Sequence, residues 1–256
     1  MLNDAIAGLP ISKVIEQPPF FNMMIYGNSG AGKTRLAGSA DAVPELRRVL
    51  FIDVEGGTLT LRNTTYNEVE VVRVRSWQEM EAVYKELMLP GHGFNTVVVD
   101  SLTELQKLSM DRIMRRLVET GDDESIENVD GDLVPQIREW NINIEQTRKV
   151  VRKFRDLPVN TIFTALEHSD KNMLRGTTRR KPSLSGKVKD EVAAFLDIVG
   201  YLYTKERDVD GESKQQRMLL TGQTEDTVAK DRSNRLPMVI PDPTMATIYE
   251  FLNKEQ

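Results

Sequence analysis

The sequence predicts an α/β fold, a mainly parallel central sheet flanked by helices with antiparallel strands toward the C-terminus, and three observations carry that prediction. A glycine-rich loop follows a short apolar run near the N-terminus. Apolar runs of strand length then alternate with amphipathic helical segments, the pattern of parallel strands covered on both faces. Near the C-terminus two strand-like runs flank Asp210-Gly211, a dipeptide suited to a hairpin turn.

Residues 1–19 contain Pro10, Pro18 and Pro19 with weak periodicity, and read as an arm before a single domain over 20–256. The first strand is expected at 20–26. After the loop, 35–40 form the opening turns of a helix, and 48–54 (RVLFIDV) is a continuous apolar run of the buried-strand kind. A third strand at 69–74 leads to Ser76, a good N-cap for a helix over 77–89 that turns Trp77, Met80, Val83, Tyr84 and Leu87 inward. Pro90-Gly91-His92-Gly93 stops it. The fourth strand is 96–100 (TVVVD), followed by an amphipathic helix over 102–118. Residues 119–132 hold seven acids and no base, a solvated loop; a long helix covers 135–157, and a fifth strand 159–166. Residues 171–189 hold seven bases and no acid and read as a mobile loop; the two charged loops are taken as 119–134 and 167–189. A short helix at 191–195 and a hairpin of 197–205 with 217–221 complete the reading.

At 256 residues the chain is near the upper size of one core. The absence of cysteine excludes disulfides and thiolate metal sites, and fits a reducing compartment. No apolar run approaches membrane-spanning length, and the opening residues MLNDAIAGLP do not form a secretory leader, so the expectation is a soluble cytoplasmic protein without a membrane partner. A net charge of −5 argues against a uniformly basic nucleic-acid binder, but phosphate backbones respond to local patches.

The loop Gly27-Asn28-Ser29-Gly30-Ala31-Gly32-Lys33-Thr34 fits G-x-x-x-x-G-K-[ST] without a mismatch. Glycines let successive amides curl around phosphate oxygens while the next helix points its positive end at them. Lys33 is placed to reach the outer phosphates, Thr34 to offer a hydroxyl to Mg²⁺, and Arg35 opens the helix. The chain is therefore expected to bind a nucleoside triphosphate, with ATP and Mg²⁺ as cofactors. Asp100, at a strand's carboxyl end, suits a Mg²⁺-holding carboxylate; the alternative is an Asp that caps the next helix. Glu55, just beyond the second strand, suits a base that polarises the attacking water; the alternative is an ordinary loop acid. Glu167 and His168, at the end of the fifth strand, are candidates for sensing the γ-phosphate. Lys171, Arg175, Arg179, Arg180, Lys181 and Lys187 form a candidate single-stranded DNA contact, salt-dependent and without aromatic groups for stacking. Lys230 and Arg232, two residues apart, would point to one side of an extended segment and act on a neighbouring subunit's nucleotide.

Taken in order, GNSGAGKT, FIDVEGG, VVVDSLTEL, the two charged loops and TVAKDRSNRL resemble the RecA-like recombinase ATPases over about 20–237. The resemblance implies a RecA-like P-loop NTPase in which Glu55 activates water, Asp100 holds Mg²⁺, and Lys230 and Arg232 are intersubunit fingers, the nucleotide lying at the interface of a homo-oligomer. The sequence departs from the family at TALEH, where the family ends the fifth strand with glutamine, and in its acidic first loop. It is similar to compact, core-only phage RecA-like proteins, which implies single-strand DNA annealing or recombination with a single-strand-binding partner, in the host cytoplasm. A nucleotide-switched assembly or motor accessory, whose basic loop contacts protein, is the alternative, and a small-molecule phosphotransferase a third.

Overall fold

The computed structural model describes residues 5–6, 9–11, 13, 20–66, 68–121, 134–172, 177–209 and 212–254. Among the described residues, strands β1 (Ala5–Ile6) and β2 (Leu9–Pro10) pair only with each other. The body is a ten-stranded sheet built from β3 (Asn22–Gly27), β4 (Val49–Asp53), β5 (Glu70–Arg73), β6 (Thr96–Asp100), β7 (Asn160–Asn172), β8 (Thr177–Pro182), β9 (Ile198–Val209), β10 (Glu212–Leu220), β11 (Lys230–Asp231) and β12 (Val239–Pro241). The main order is β12-β10-β9-β3-β7-β6-β4-β5, with β8 on β7 and β11 on β9. From β9 to β5 the pairings are parallel, while β9, β10 and β12 pair antiparallel, as the sequence predicts.

The central strands are apolar throughout because both faces are covered. On β3, Met24 and Tyr26 face one core while Met23 and Ile25 face the other. The first core is closed by α2 (Trp77–Leu87), α3 (Leu102–Thr120), α4 (Ile137–Arg155) and α5 (Val188–Phe195). The second is closed by α1 (Lys33–Gly38), two short 3-10 turns (Ser39–Ala42 and Thr58–Leu61) and α6 (Met245–Asn253). Local chemistry sets the helix starts: Ser76 accepts from the amide of Glu79 while the Glu79 carboxylate accepts from that of Arg75, a reciprocal cap, and Ser101 accepts from Glu104.

Three features of the sheet matter for the site. The strand carrying Asp100, β6, is not beside the phosphate-loop strand β3: β7 lies between them, and the strand before Glu55, β4, is one further out. The fifth strand does not end at Glu167 and His168 but runs on to Asn172, because β8 pairs with it from Glu167↔Pro182 to Asn172↔Thr177. Most of the expected basic loop, 167–189, is thus the end of β7, strand β8 and the start of α5. Arg175, the acidic residues 122–132 and the Asp210-Gly211 turn lie outside the described residues. Among the described residues no helix is long and apolar enough to cross a membrane.

Candidate nucleotide site

The phosphate loop leaves β3 at Gly27 and enters α1 at Lys33. Gly30 and Gly32 hold φ of +78° and +101°, conformations that L side chains rarely adopt, and this lets the loop amides turn to a common centre. Gly27 serves a different end: a Cβ built on it would stand 2.1 Å from the Leu202 carbonyl oxygen of β9, so the neighbouring backbone demands its lack of a side chain.

Lys33 is 7% exposed, and its ammonium donates to the carbonyls of Gly27 (3.1 Å) and Asn28 (2.9 Å), folding across its own loop. Burial lowers its pKa, opposed by the negative charges of Glu55 and Asp100. The Thr34 hydroxyl donates to Asp100 Oδ2 at 2.8 Å, and the Thr164 hydroxyl, from the intervening strand β7, donates to Oδ1. Asp100 is 1% exposed, and burial raises its pKa despite those two donors. A Cβ on Gly57 would stand 3.6 Å from both Asp100 Oδ2 and Thr34 Oγ1, so the turn after β4 covers the pair.

Glu55 sits at the lip of that turn, exposed, its amide and that of Val54 donating to the Asp100 carbonyl (3.1 and 2.8 Å). The turn is fixed by Asp53, whose buried carboxylate accepts from the Gly56 amide (2.6 Å), the Thr58 hydroxyl (3.2 Å) and the Arg73 guanidinium (2.7 Å). Thr164, Asp53 and Arg73 escape a reading of the sequence alone. The second of two threonines in the strand NTIFTAL, and an acid two residues before Glu55, are the signals present.

These residues suit Mg²⁺ and a triphosphate. The oxygen donors, a hydroxyl and a carboxylate, are of the hard type that Mg²⁺ prefers. Among the described residues no group of three or more His, Asp or Glu could hold a metal, so an ion here would share its shell with phosphate and water. Two cavities flank the loop. One of about 680 Å³ lies between Asn28–Ala31 and Arg180, Tyr201 and Asp226; one of about 240 Å³ is lined by Arg35, Tyr66, Arg217 and Asp242.

The remaining candidates are placed as follows. The Glu167 carboxylate accepts from Tyr201 (2.9 Å) and Ser169 (2.7 Å) and lies 3.8 Å from Arg180 Nε, while His168 bonds Asp170 (2.7 Å). Arg180 also pairs with Asp226 (3.1 Å) beside the phosphate loop, so it does not sit on a mobile loop. Lys181 is 6% exposed and pairs with Asp170 (2.5 Å), holding that carboxyl down to about 2, and with Asp190 (3.7 Å). Its expected role toward DNA is corrected: the ammonium is spent inside the fold. Arg179 and Lys187 are exposed, and Lys171 lies near the far end of β7. Lys230 is turned onto its own chain. Its ammonium donates to the Ala193 and Leu196 carbonyls at the end of α5 (2.7 and 2.9 Å), and burial lowers its pKa. Arg232 pairs with Asp197 (2.7 Å) and keeps an exposed face.

The family model described as an AAA domain (AAA_24) matches residues 20–233. The chain belongs to this AAA domain family. With its phosphate loop and sheet order, the AAA domain is an NTP-hydrolysing P-loop enzyme. No curated protein matches it significantly in sequence. Among solved structures it is similar to the ATPase domain of another protein, solved as a domain (14% identity, TM-score 0.47, covering 88% of this chain and 81% of that one). It is also similar to a prototypical ATPase from the type III secretion system of pathogenic bacteria (15%, 0.39, 72% and 52%) and to a DnaB-like replicative helicase described with its primase interactions (14%, 0.39, 84% and 53%). The AAA domain spans about half the length of these last two chains.

Proposed function

We propose that the chain is a Mg²⁺-dependent ATPase that works as a homo-oligomer on single-stranded DNA, in phage-type recombination or annealing alongside a single-strand-binding protein. The observation that supports it most is the convergence of Lys33 and Thr34 at the start of α1 with Asp100 of β6 and Thr164 of β7, beneath the Gly57 backbone. Thr34 and Asp100 would hold the metal, which when bound supplies positive charge against the phosphates. Lys33 exchanges its two loop carbonyls for phosphate oxygens. Glu55, at the lip and within the electrostatic reach of Lys33, takes a proton from the attacking water. Asp53 and Arg73 keep that turn in place. Glu55→Gln should bind ATP normally and lose hydrolysis by about 10²- to 10⁴-fold. Unchanged turnover would remove Glu55 from this role.

For DNA, Arg179 and Lys187 supply exposed charge, and the stacking group that the basic segment lacks comes from α4. Trp140, 41% exposed, lines a cavity of about 700 Å³ together with Lys107, His168 and Lys189. Arg232 is the cation left to act on a neighbour's nucleotide. A second reading, an assembly or motor accessory whose basic segment contacts protein, is favoured by the carboxylates that already neutralise Arg180 and Lys181. ATPase rates with and without single-stranded DNA across a salt series separate the two: stimulation that fades with salt supports the first, indifference to DNA the second.

A further inference from the structure

We infer that a groove between the start of α2 and the second half of α3 binds the phosphodiester backbone of single-stranded nucleic acid through Arg75, Arg112, Arg115 and Arg116. The inference rests on the reading of the chain as acting on DNA. These four guanidiniums line one cavity of about 370 Å³, with Asp111 and Glu119 as the carboxylates in its wall. Arg112, Arg115 and Arg116 stand at i, i+3 and i+4 on α3, the spacing that gathers side chains on one helix face, and Arg75 meets them from the residue before the α2 cap. Arg112 is paired within the fold, with Glu81 at 3.3 Å. Among the described residues no carboxylate comes within ion-pair distance of Arg75, Arg115 or Arg116, all three exposed.

Four guanidiniums outnumber the two carboxylates, Asp111 and Glu119, in the cavity wall, and a shared polyanion relieves the repulsion that remains between them. Guanidinium is the side chain whose fork matches phosphate oxygens in pairs. The opening turn of α2 adds a field of the same sign. A nucleic-acid backbone suits the place better than a free phosphate because a second cavity, the one lined by Trp140, lies next along α3, the two sharing Asp111 in their walls. A strand lying along α3 would put bases at Trp140 and phosphates at the arginines. The same helix begins at Leu102, two residues after Asp100, and extends about 28 Å, so DNA bound at its far end bears on an element that starts in the nucleotide site.

The test is binding of a fluorescent single-stranded oligonucleotide, followed by anisotropy from about 50 to 200 mM salt. R115E/R116E should weaken binding at least tenfold at low salt and shrink the slope of log K against log salt by about 0.7 for each phosphate no longer neutralised. R75E, on a separate element, should act in the same direction, R115K/R116K should retain most of the affinity, and basal ATPase should stay at the wild-type level. If the wild type binds and R115E/R116E matches its affinity and slope, the groove assignment falls while DNA binding stands. If the wild type binds no oligonucleotide at low salt, both fall. In a K33A background, tripolyphosphate binding that R115E/R116E abolishes, with oligonucleotide binding unaffected, would make this a free-phosphate site and overturn the inference.

Discussion

The tightest test of the phosphate loop's architecture is Gly27→Ala set against Gly30→Ala. Both glycines belong to the loop motif, and a reading based on phosphates alone expects similar effects. The geometry separates them. A Cβ on Gly27 meets the Leu202 carbonyl oxygen at 2.1 Å, against 3.4 Å for ordinary contact, so about 1.3 Å of separation must be found between two backbones. Neither can yield cheaply: β3 is hydrogen-bonded to β7 on one side and to β9 on the other, with Tyr26 opposite Tyr201. Opening that seam stretches two or three ladder bonds beyond hydrogen-bonding range, each worth about 1 kcal/mol net, so the expected cost is about 3 kcal/mol.

A Cβ on Gly30 meets nothing within 4 Å, and its cost is the left-handed φ of +78°, about 1–2 kcal/mol. Urea unfolding without nucleotide measures both. Gly27→Ala should shift the midpoint about twice as far as Gly30→Ala, with m unchanged. Equal shifts, or a milder Gly27→Ala, would refute the claim that the first glycine exists for the β9 contact.

Two further substitutions probe the carboxylates. Burial raises the Asp100 pKa above its ordinary 3.8, so its contribution to stability is complete below that pH and lost as pH rises through the folded value. Asp100→Asn should therefore melt higher than wild type at pH 7.5 without nucleotide, by about 2–4 °C for a gain near 1 kcal/mol, with the gap closing toward pH 4 and the Mg²⁺-ATP-induced stabilisation abolished. A lower melting temperature at pH 7.5 would contradict this. Arg73→Ala leaves the buried Asp53 carboxylate with only the Gly56 amide and Thr58 hydroxyl. Because Arg73 is partly exposed, the loss should be about 1–2 kcal/mol, below that of a fully buried pair. Steady-state kinetics should show kcat falling more than KM rises, and an unchanged kcat would detach the Asp53 turn from catalysis.

What the sequence disclosed and what it withheld follow from the range of the interactions involved. The phosphate loop, the buried strands at 49–53 and 96–100 and the Ser76 cap are specified by residues adjacent in the chain, and they lie where pattern reasoning puts them. The extension of β7 beyond Leu166 depends on β8, whose TTRRKP has the composition of a loop and becomes a strand only because β7 is alongside. The short β12 escapes a local reading because VIP is too brief to stand out, whereas α6, which packs its Met245 and Ile248 against the second core, carries a local signal in the Thr244 cap and the spacing of Met245, Ile248, Tyr249 and Leu252. The basic segment misleads for a related reason. Its charge count is a property of the segment, but the carboxylates that cancel Arg180 and Lys181 come from Asp226, Asp170 and Asp190, two of them outside it and one on the paired strand.

The converse holds for the arginine groove. RIMRR in α3 is unremarkable as a string, and Arg75 is 37 positions before the first of its arginines. What distinguishes the cluster is that four arginines meet in one cavity and, among the described residues, no carboxylate is within ion-pair distance of three of them, a gathering that exists only once α2 is laid against α3. Charge that the fold has already neutralised says little about partners, whereas arginines gathered on one face beyond ion-pair distance of any described carboxylate are the better place to look for one. On that argument the search for a nucleic-acid contact moves from the β7–β8 hairpin to the outer face of α3, and the helix that begins beside the Asp100 carboxylate becomes the element through which DNA and nucleotide would feel one another.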